Sequence, residues 1–190
     1  MISKVQPERP FVAVFCGSSL GLAPRYAEEA ADVGRAIAAA GAGLVYGGGR
    51  VGLMGVLADA ALEAGAPVHG VIPAGLARVE VAHSGLTRLD VVATMHERKA
   101  RMADAAAGFI ALAGGFGTLD ELFEIVTWKQ LRHHDRPIVL FNPSGFFDPL
   151  LAAIRRMTAE GFIRERQDLL RVETDAAEAV RRALSPRIAD

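Results

Sequence analysis

The sequence predicts an α/β fold, a modified Rossmann-like, doubly wound parallel sheet of about six to seven strands with helices on both faces. Three observations predict it. Short apolar runs rich in Val, Ile, Leu and Phe alternate with longer stretches of helical period, the order expected of βαβ units. Glycine clusters follow several of these runs, and in an open parallel sheet such turns gather at the carboxyl edge. The length of 190 residues, with 51% hydrophobic and 23% charged side chains, suits one domain with a sizeable core. The expected domain is 1–190, with 1–10 and 185–190 as flexible polar ends.

Strands are expected at residues 11–16 (FVAVFC), 43–46 (GLVY), 68–72 (VHGVI), 86–92 (LTRLDVV), 109–112 (FIAL) and 138–141 (IVLF). Most are too short and too uniformly apolar to face solvent, so they belong in the middle of a sheet covered on both sides. Between them, residues 24–40, 52–64, 95–106, 118–132 and 146–160 carry apolar positions at three- and four-residue spacing, and 175–184 closes the chain as a last helix.

Composition excludes several classes of partner. A formal net charge of −1 gives no long-range field to hold a polyphosphate backbone or an anionic membrane, so nucleic acid is not expected. The single cysteine, Cys16, forms no internal disulfide and no thiolate metal cluster. The polar start MISKVQPERP is unlike a signal peptide, and uncharged runs such as residues 105–119 fall short of the roughly 20 needed to cross a bilayer. A cytoplasmic protein with no membrane span is the expectation. The five histidines show no ligand spacing, so no metal is expected. Of 21 basic residues only Lys4, Lys99 and Lys129 are lysines, which restricts any chemistry that needs an amine.

Three motifs carry chemistry. Gly47-Gly48-Gly49-Arg50-Val51-Gly52 fits G-x-G-x-x-G between a strand and a helix. A dinucleotide site wants an acidic residue about 20 positions further on, yet the next strand ends Val71-Ile72-Pro73. The segment is therefore a tight turn with close packing, a loop touching a nucleotide or phosphate, or, least simply, an NAD loop. The second motif, Leu112-Ala113-Gly114-Gly115-Phe116-Gly117-Thr118-Leu119-Asp120-Glu121, follows a strand and opens a helix. Its glycines permit close approach of a ligand, and the free N–H groups of the helix start, with Thr118 as cap or donor, favour an anion. Glu121 either takes part in chemistry or complements the helix dipole. The third, Met95-His96-Glu97-Arg98-Lys99-Ala100-Arg101-Met102, puts Met95, Lys99 and Met102 on one helical face with Arg98 one residue round. If that helix also starts at the carboxyl edge, Arg98 reaches the pocket of Glu121; otherwise it lies on a solvated basic face.

With these motifs in view, the chain resembles the Lonely Guy (LOG) family of cytokinin riboside 5′-monophosphate phosphoribohydrolases, many of whose bacterial members bear an older lysine decarboxylase description. The resemblance runs from about Val12 to Phe162. It rests on Cys16-Gly17-Ser18-Ser19, Leu44-Val45-Tyr46-Gly47-Gly48-Gly49 with Gly52-Leu53-Met54-Gly55, and Gly70-Val71-Ile72-Pro73 followed by Glu80. It continues through Met95-His96-x-Arg98-Lys99-x-x-Met102, the glycine motif, Thr127-Trp128-x-Gln130-Leu131 and Glu160-Gly161-Phe162. The family's P-G-G-x-G-T-x-x-E has Ala113 here at its first position, which relaxes a dihedral before the loop and removes no donor or charge.

The resemblance implies a nucleotide-binding domain that hydrolyses the N-glycosidic bond of adenosine monophosphate or an N6-modified relative, without a cofactor and as a homodimer. It implies Arg98 and Glu121 as the catalytic pair. Glu80, Met95, Lys99, Gly114, Gly115, Phe116, Gly117, Thr118, Leu119, Asp120 and Thr127 would bind substrate, with Gly17, Ser18, Gly47, Gly48 and Gly49 as a possible second loop. The alternative is a non-catalytic nucleotide or molybdenum-cofactor carrier, since related folds include such carriers. A pyridoxal decarboxylase would need a Schiff-base lysine in a cofactor pocket, and only Lys99 adjoins the proposed site.

Overall fold

The computed structural model describes residues 9–77, 82–163 and 169–185. In chain order these form β1 (Phe11–Phe15), α1 (Arg25–Ala39), β2 (Gly43–Tyr46), α2 (Leu53–Glu63), β3 (Val68–Pro73), β4 (Arg88–Val92) and α3 (Met95–Ala105). There follow β5 (Gly108–Ala111), α4 (Phe116–Gln130), β6 (Ile138–Phe141), α5 (Asp148–Ala159), β7 (Arg171–Glu173) and α6 (Ala176–Leu184). The seven strands make one sheet in the order β4-β3-β2-β1-β5-β6-β7, and every pair in it is parallel. The doubly wound α/β fold expected from the sequence is the fold observed.

Strand periodicity divides the core in two. Val12 and Val14 of β1 point to one face with Leu44, Tyr46 and Ile110, where Ala30, Val33 and Ile37 of α1, Leu57 of α2 and Val180 of α6 cover them. Ala13 and Phe15 point to the other face with Val45, Phe109 and Leu140, under Met102 of α3 and Leu122 and Ile125 of α4, with Leu150 and Leu151 of α5 packed alongside. The α1–α2 contact depends on Gly34, because a Cβ there would stand 2.6 Å from the Leu57 carbonyl oxygen.

The order places β1 at the centre and sets the site. From β1 the chain moves through β2 and β3 to β4 at one edge. Helix α3 then carries it back over the sheet to β5, on the other side of β1. The loops after β1 and β5 thus leave from adjacent strands whose connections run in opposite directions, the position at which open α/β sheets bind ligands.

Two elements differ from expectation. β7 was absent from the expected strands because Arg171-Val172-Glu173 offers one apolar residue in three, and it pairs only at the sheet's end. β4 is an edge strand with mostly exposed residues, so its apolar and charged residues alternate where the central strands are buried throughout. Boundaries shift locally: α5 begins at Asp148 because Phe147 is buried and its N–H donates to Asn142 Oδ1 at 2.8 Å, which holds the preceding turn out of the helix.

Candidate active site

The floor of the site is built where β1 and β5 end side by side. Gly17 N–H donates to the Ala113 carbonyl at 3.0 Å and Leu53 N–H donates to the Gly17 carbonyl at 3.1 Å, tying both glycine loops and the start of α2 together. Ala113 thus keeps its place in the loop without the ring of a proline. Gly114 has no room for a side chain: a Cβ there would fall 2.1 Å from Thr118 Oγ1 and 2.9 Å from Gly17 N. Gly115 and Gly117 are the opposite case, with no described atom within 4 Å of a Cβ position, so their backbone borders open space. No side chain caps α4, whose N-cap is Gly115. The unshared first-turn amides and the positive end of the helix dipole are available to an anion there.

Helix α3 brings the cation. Its start is fixed by Thr94, whose hydroxyl accepts from Glu97 N–H at 3.1 Å, while Glu97 Oε2 accepts from Ala93 N–H at 3.1 Å. Arg98, one turn in, points beneath the glycine loop, and its Nη2 stands 3.2 Å from Glu121 Oε1 of α4. Each of the two residues is 7% exposed. The guanidinium also donates from Nη1 to Met95 Sδ at 3.3 Å. Next to it, Lys99 Nζ is clasped by Asp120 Oδ2 and Glu124 Oε2, both at 3.1 Å, which binds α3 to α4 on the outer side of the Arg98–Glu121 pair. Burial lowers the affinity of Lys99 for its proton, but the hydrogen bonds to Asp120 and Glu124 outweigh it and the pKa is raised. The amine is an ammonium ion at neutral pH.

A cavity of about 200 Å³ opens over this pair. It collects Gly17 and Ser18 from the loop after β1, Met95 and Arg98 from α3, and Gly115, Phe116, Gly117, Thr118, Asp120 and Glu121 from α4. Those ten sequence-selected residues, from three separate motifs, therefore share one site. Phe116 is 93% exposed and stands at the rim. A second, mostly apolar cavity of about 290 Å³ adjoins it across the shared Gly17, Ser18 and Gly115.

Other expected site residues lie apart. Thr127, near the far end of α4, lines an apolar groove of about 670 Å³ between α4, α5 and β7 rather than the Arg98–Glu121 cavity. Leu119 packs against the buried cluster under α3 and α4. Gly47 abuts Arg98 from behind. Gly48 has φ +76° and a Cβ there would stand 3.2 Å from the side chains of Ile72 and Leu89, and Gly49 bridges to Ala82 while its carbonyl accepts from Tyr46 Oη at 3.2 Å. Glu80 lies outside the described residues.

Two residues lining the cavity were not selected from the sequence, Cys16 and Met54. Both sit within motifs that carry the resemblance, Cys16 before Gly17 and Met54 between Leu53 and Gly55, where a small or apolar side chain gives no sign of a ligand. Cys16 is buried, and burial, reinforced by the Glu121 charge and opposed by Arg98, pushes its thiol pKa well above the ordinary range. It is a neutral wall of the cavity, not a nucleophile. Among the described residues no group of three or more His, Cys, Asp or Glu side chains could hold a metal ion, and no helix is long and apolar enough to cross a membrane.

Comparison with known proteins adds an independent line. The family model described as "Possible lysine decarboxylase" matches residues 54–184. The chain is 49% identical over 162 residues to the cytokinin riboside 5′-monophosphate phosphoribohydrolase of Rhodococcoides fascians, covering 85% of this chain and 82% of that protein. It is 46% identical over 153 residues to the probable cytokinin riboside 5′-monophosphate phosphoribohydrolase LOGL1 of Oryza sativa subsp. japonica, covering 80% and 69%. It is 44% identical over 152 residues to LOG3 of Arabidopsis thaliana, covering 80% and 71%. Among solved structures, the molybdenum cofactor binding protein of Rippkaea orientalis superposes with a TM-score of 0.70 at 19% identity, over 93% of this chain and 96% of that one. The molybdenum cofactor carrier protein of Chlamydomonas reinhardtii superposes with a TM-score of 0.68 at 23% identity, over 91% and 94%. These two likenesses are of fold.

Proposed function

Because the chain belongs to the family of cytokinin riboside 5′-monophosphate phosphoribohydrolases, also described as possible lysine decarboxylases, we propose that it hydrolyses the N-glycosidic bond of adenine-type nucleoside 5′-monophosphates. The products are the free base and ribose 5-phosphate. The observation that supports this most is the buried Arg98–Glu121 pair, 3.2 Å apart, opening onto the uncapped start of α4.

The chemistry follows from charge. As the bond from the anomeric carbon to the base breaks, its electron pair leaves with the base and positive charge builds on the sugar ring. A carboxylate beside that carbon stabilises this state more than the ground state. Glu121 is the buried carboxylate of the cavity. Water then supplies hydroxyl to the anomeric carbon, and the base takes up a proton. Arg98 stays protonated and does not serve as a base; it orients Glu121 and presents positive charge to substrate. The first turn of α4, with Gly115, Gly117 and Thr118, takes the 5′-phosphate. Lys99, held by Asp120 and Glu124, keeps the two helix starts together.

The decarboxylase description implies a pyridoxal group, and the described residues do not fit one. Schiff-base formation needs a neutral amine, whereas Lys99 is an ammonium between two carboxylates. Lys129 is buried near the other end of α4.

The reading includes a homodimer in the cytoplasm. The groove between α4, α5 and β7 supports the dimer, since Phe123 and Val172 along it are 42% and 43% exposed, and a second copy would cover them. The function is tested by incubating the protein with adenosine monophosphate and separating the products. Adenine and ribose 5-phosphate in equal amounts support the proposal; no release of either overturns it.

A further inference from the structure

Gly47, the first residue of the Gly47-Gly48-Gly49 turn, borders the catalytic pair. A Cβ built there would lie 2.0 Å from Arg98 Nη2 and 3.1 Å from both the Arg98 Cζ and Met54 Sδ. Its φ is not positive. The backbone therefore does not demand glycine at this position, and the three atoms nearest a side chain there belong to the ends of two flexible ones. The constraint comes from the guanidinium.

Arg98 has few other supports. Nη1 donates to a thioether sulfur, Nη2 meets Glu121, and Nε makes no hydrogen bond among the described residues. Sulfur is a weak acceptor, so hydrogen bonds alone leave the long side chain loosely specified. A flat, side-chain-free backbone on one side and Glu121 on the other define where its head lies.

We propose that Gly47 is a positioning residue for Arg98: the bare glycine face at the end of β2 forms the seat that sets the guanidinium against Glu121. This rests on the reading of Arg98 as part of the catalytic pair. It gives the glycine turn a role different from direct nucleotide contact, because Gly47 acts through a side chain of another helix. The turn shapes the site from behind.

The test is a double-mutant cycle of Gly47→Ala with Arg98→Ala, following kcat on adenosine monophosphate and the melting temperature of each variant. In the otherwise unchanged protein, Gly47→Ala is expected to lower kcat by about 10²-fold, the size of effect that follows a displacement of about 1 Å in a reacting group. Melting should change little, since the obstructing atoms are movable side-chain ends. In the Arg98→Ala background the same methyl group meets no guanidinium and should change kcat less than about threefold. A Gly47→Ala effect as large in the Arg98→Ala background as in the protein that keeps Arg98, or no effect where Arg98 is kept, overturns the seat. If Gly47→Ala does not fold, the Gly47→Ala/Arg98→Ala protein decides: folding of the double variant supports the seat and its failure to fold overturns it. Near-normal activity of Arg98→Ala alone would instead refute the catalytic assignment of Arg98. That result is read from a different corner of the cycle.

Discussion

Arg98 Nη2 stands 3.2 Å from Glu121 Oε1, although the two residues lie on helices that follow β4, at the edge of the sheet, and β5, beside its centre. The long return of α3 over the sheet closes that distance, and Lys99 between Asp120 and Glu124 holds it. Removing one partner of a buried ion pair strands the other charge, a loss of about 3–5 kcal/mol in comparable cases. A pair of this kind is a poor device for stability alone. Its position beside the uncapped start of α4 suits it to the chemistry proposed above.

The 5′-phosphate is expected to be required. The open amides at the start of α4 and the nearby guanidinium have no phosphate to meet when the substrate is a riboside. Charge-assisted hydrogen bonds contribute roughly 1.5–3 kcal/mol each, so loss of two lowers kcat/KM by at least about 10²-fold. The measurement is kcat/KM for adenosine against adenosine monophosphate at equal ionic strength. Ratios within about threefold would move the phosphate away from the glycine loop.

Stability is expected to fall as the pH drops below about 6.5 because of His134. Burial lowers its pKa, with the charges of Arg136 and Lys129 acting the same way against the hydrogen bond to the Ile125 carbonyl. The neutral ring satisfies both neighbours: Nε2–H donates to Ile125 O at 2.9 Å and Nδ1 accepts from Arg136 N–H at 3.2 Å. A proton on Nδ1 would face that N–H. The unfolded chain binds this proton more readily, so stability rises with pH from the depressed native pKa up to the unfolded value. Nuclear magnetic resonance titration of the His134 ring should give a midpoint below 6.5, and a His134→Gln variant should flatten that part of the stability profile. A midpoint at or above 6.5 would contradict the assignment.

Two copies are expected to associate through the groove between α4, α5 and β7. Light scattering at micromolar concentration should report about twice the 20.1 kDa of one chain. Phe123→Asp, placing a charge in the groove, should shift the protein toward monomer. A wild-type particle of 20.1 kDa would count against the dimer.

The sequence made the central strands and most of the cavity legible for the same reason. Runs such as Val-Ala-Val-Phe and Ile-Val-Leu-Phe have one plausible place, the middle of a covered sheet, and glycines after them mark the edge where backbone must come close to something. Arg98 and Glu121 could be joined on paper once both helices were assigned to that edge. The reach of Lys99 was not legible: spacing put it beside Arg98, but its partners Asp120 and Glu124 lie 21 and 25 positions on, and only the packing of α3 on α4 selects them. β7 was missed because pairing, not composition, makes it a strand. Thr127 matched a motif, yet two further turns of α4 carry it away from the cavity of Glu121. Gly47 drew attention as a nucleotide loop, while its neighbour in space is a side chain 51 positions along, a relation no local pattern contains.

The most direct measurement of the central claim is the turnover of Glu121→Gln on adenosine monophosphate, followed by release of adenine, alongside its melting temperature. The amide keeps the shape of the side chain and an oxygen facing Arg98, but it cannot carry the negative charge that meets the cationic sugar. Turnover is expected to fall by about 10²–10³-fold while the protein remains folded. Near-normal turnover by the folded variant would contradict the claim that the glycosidic bond is broken at Glu121.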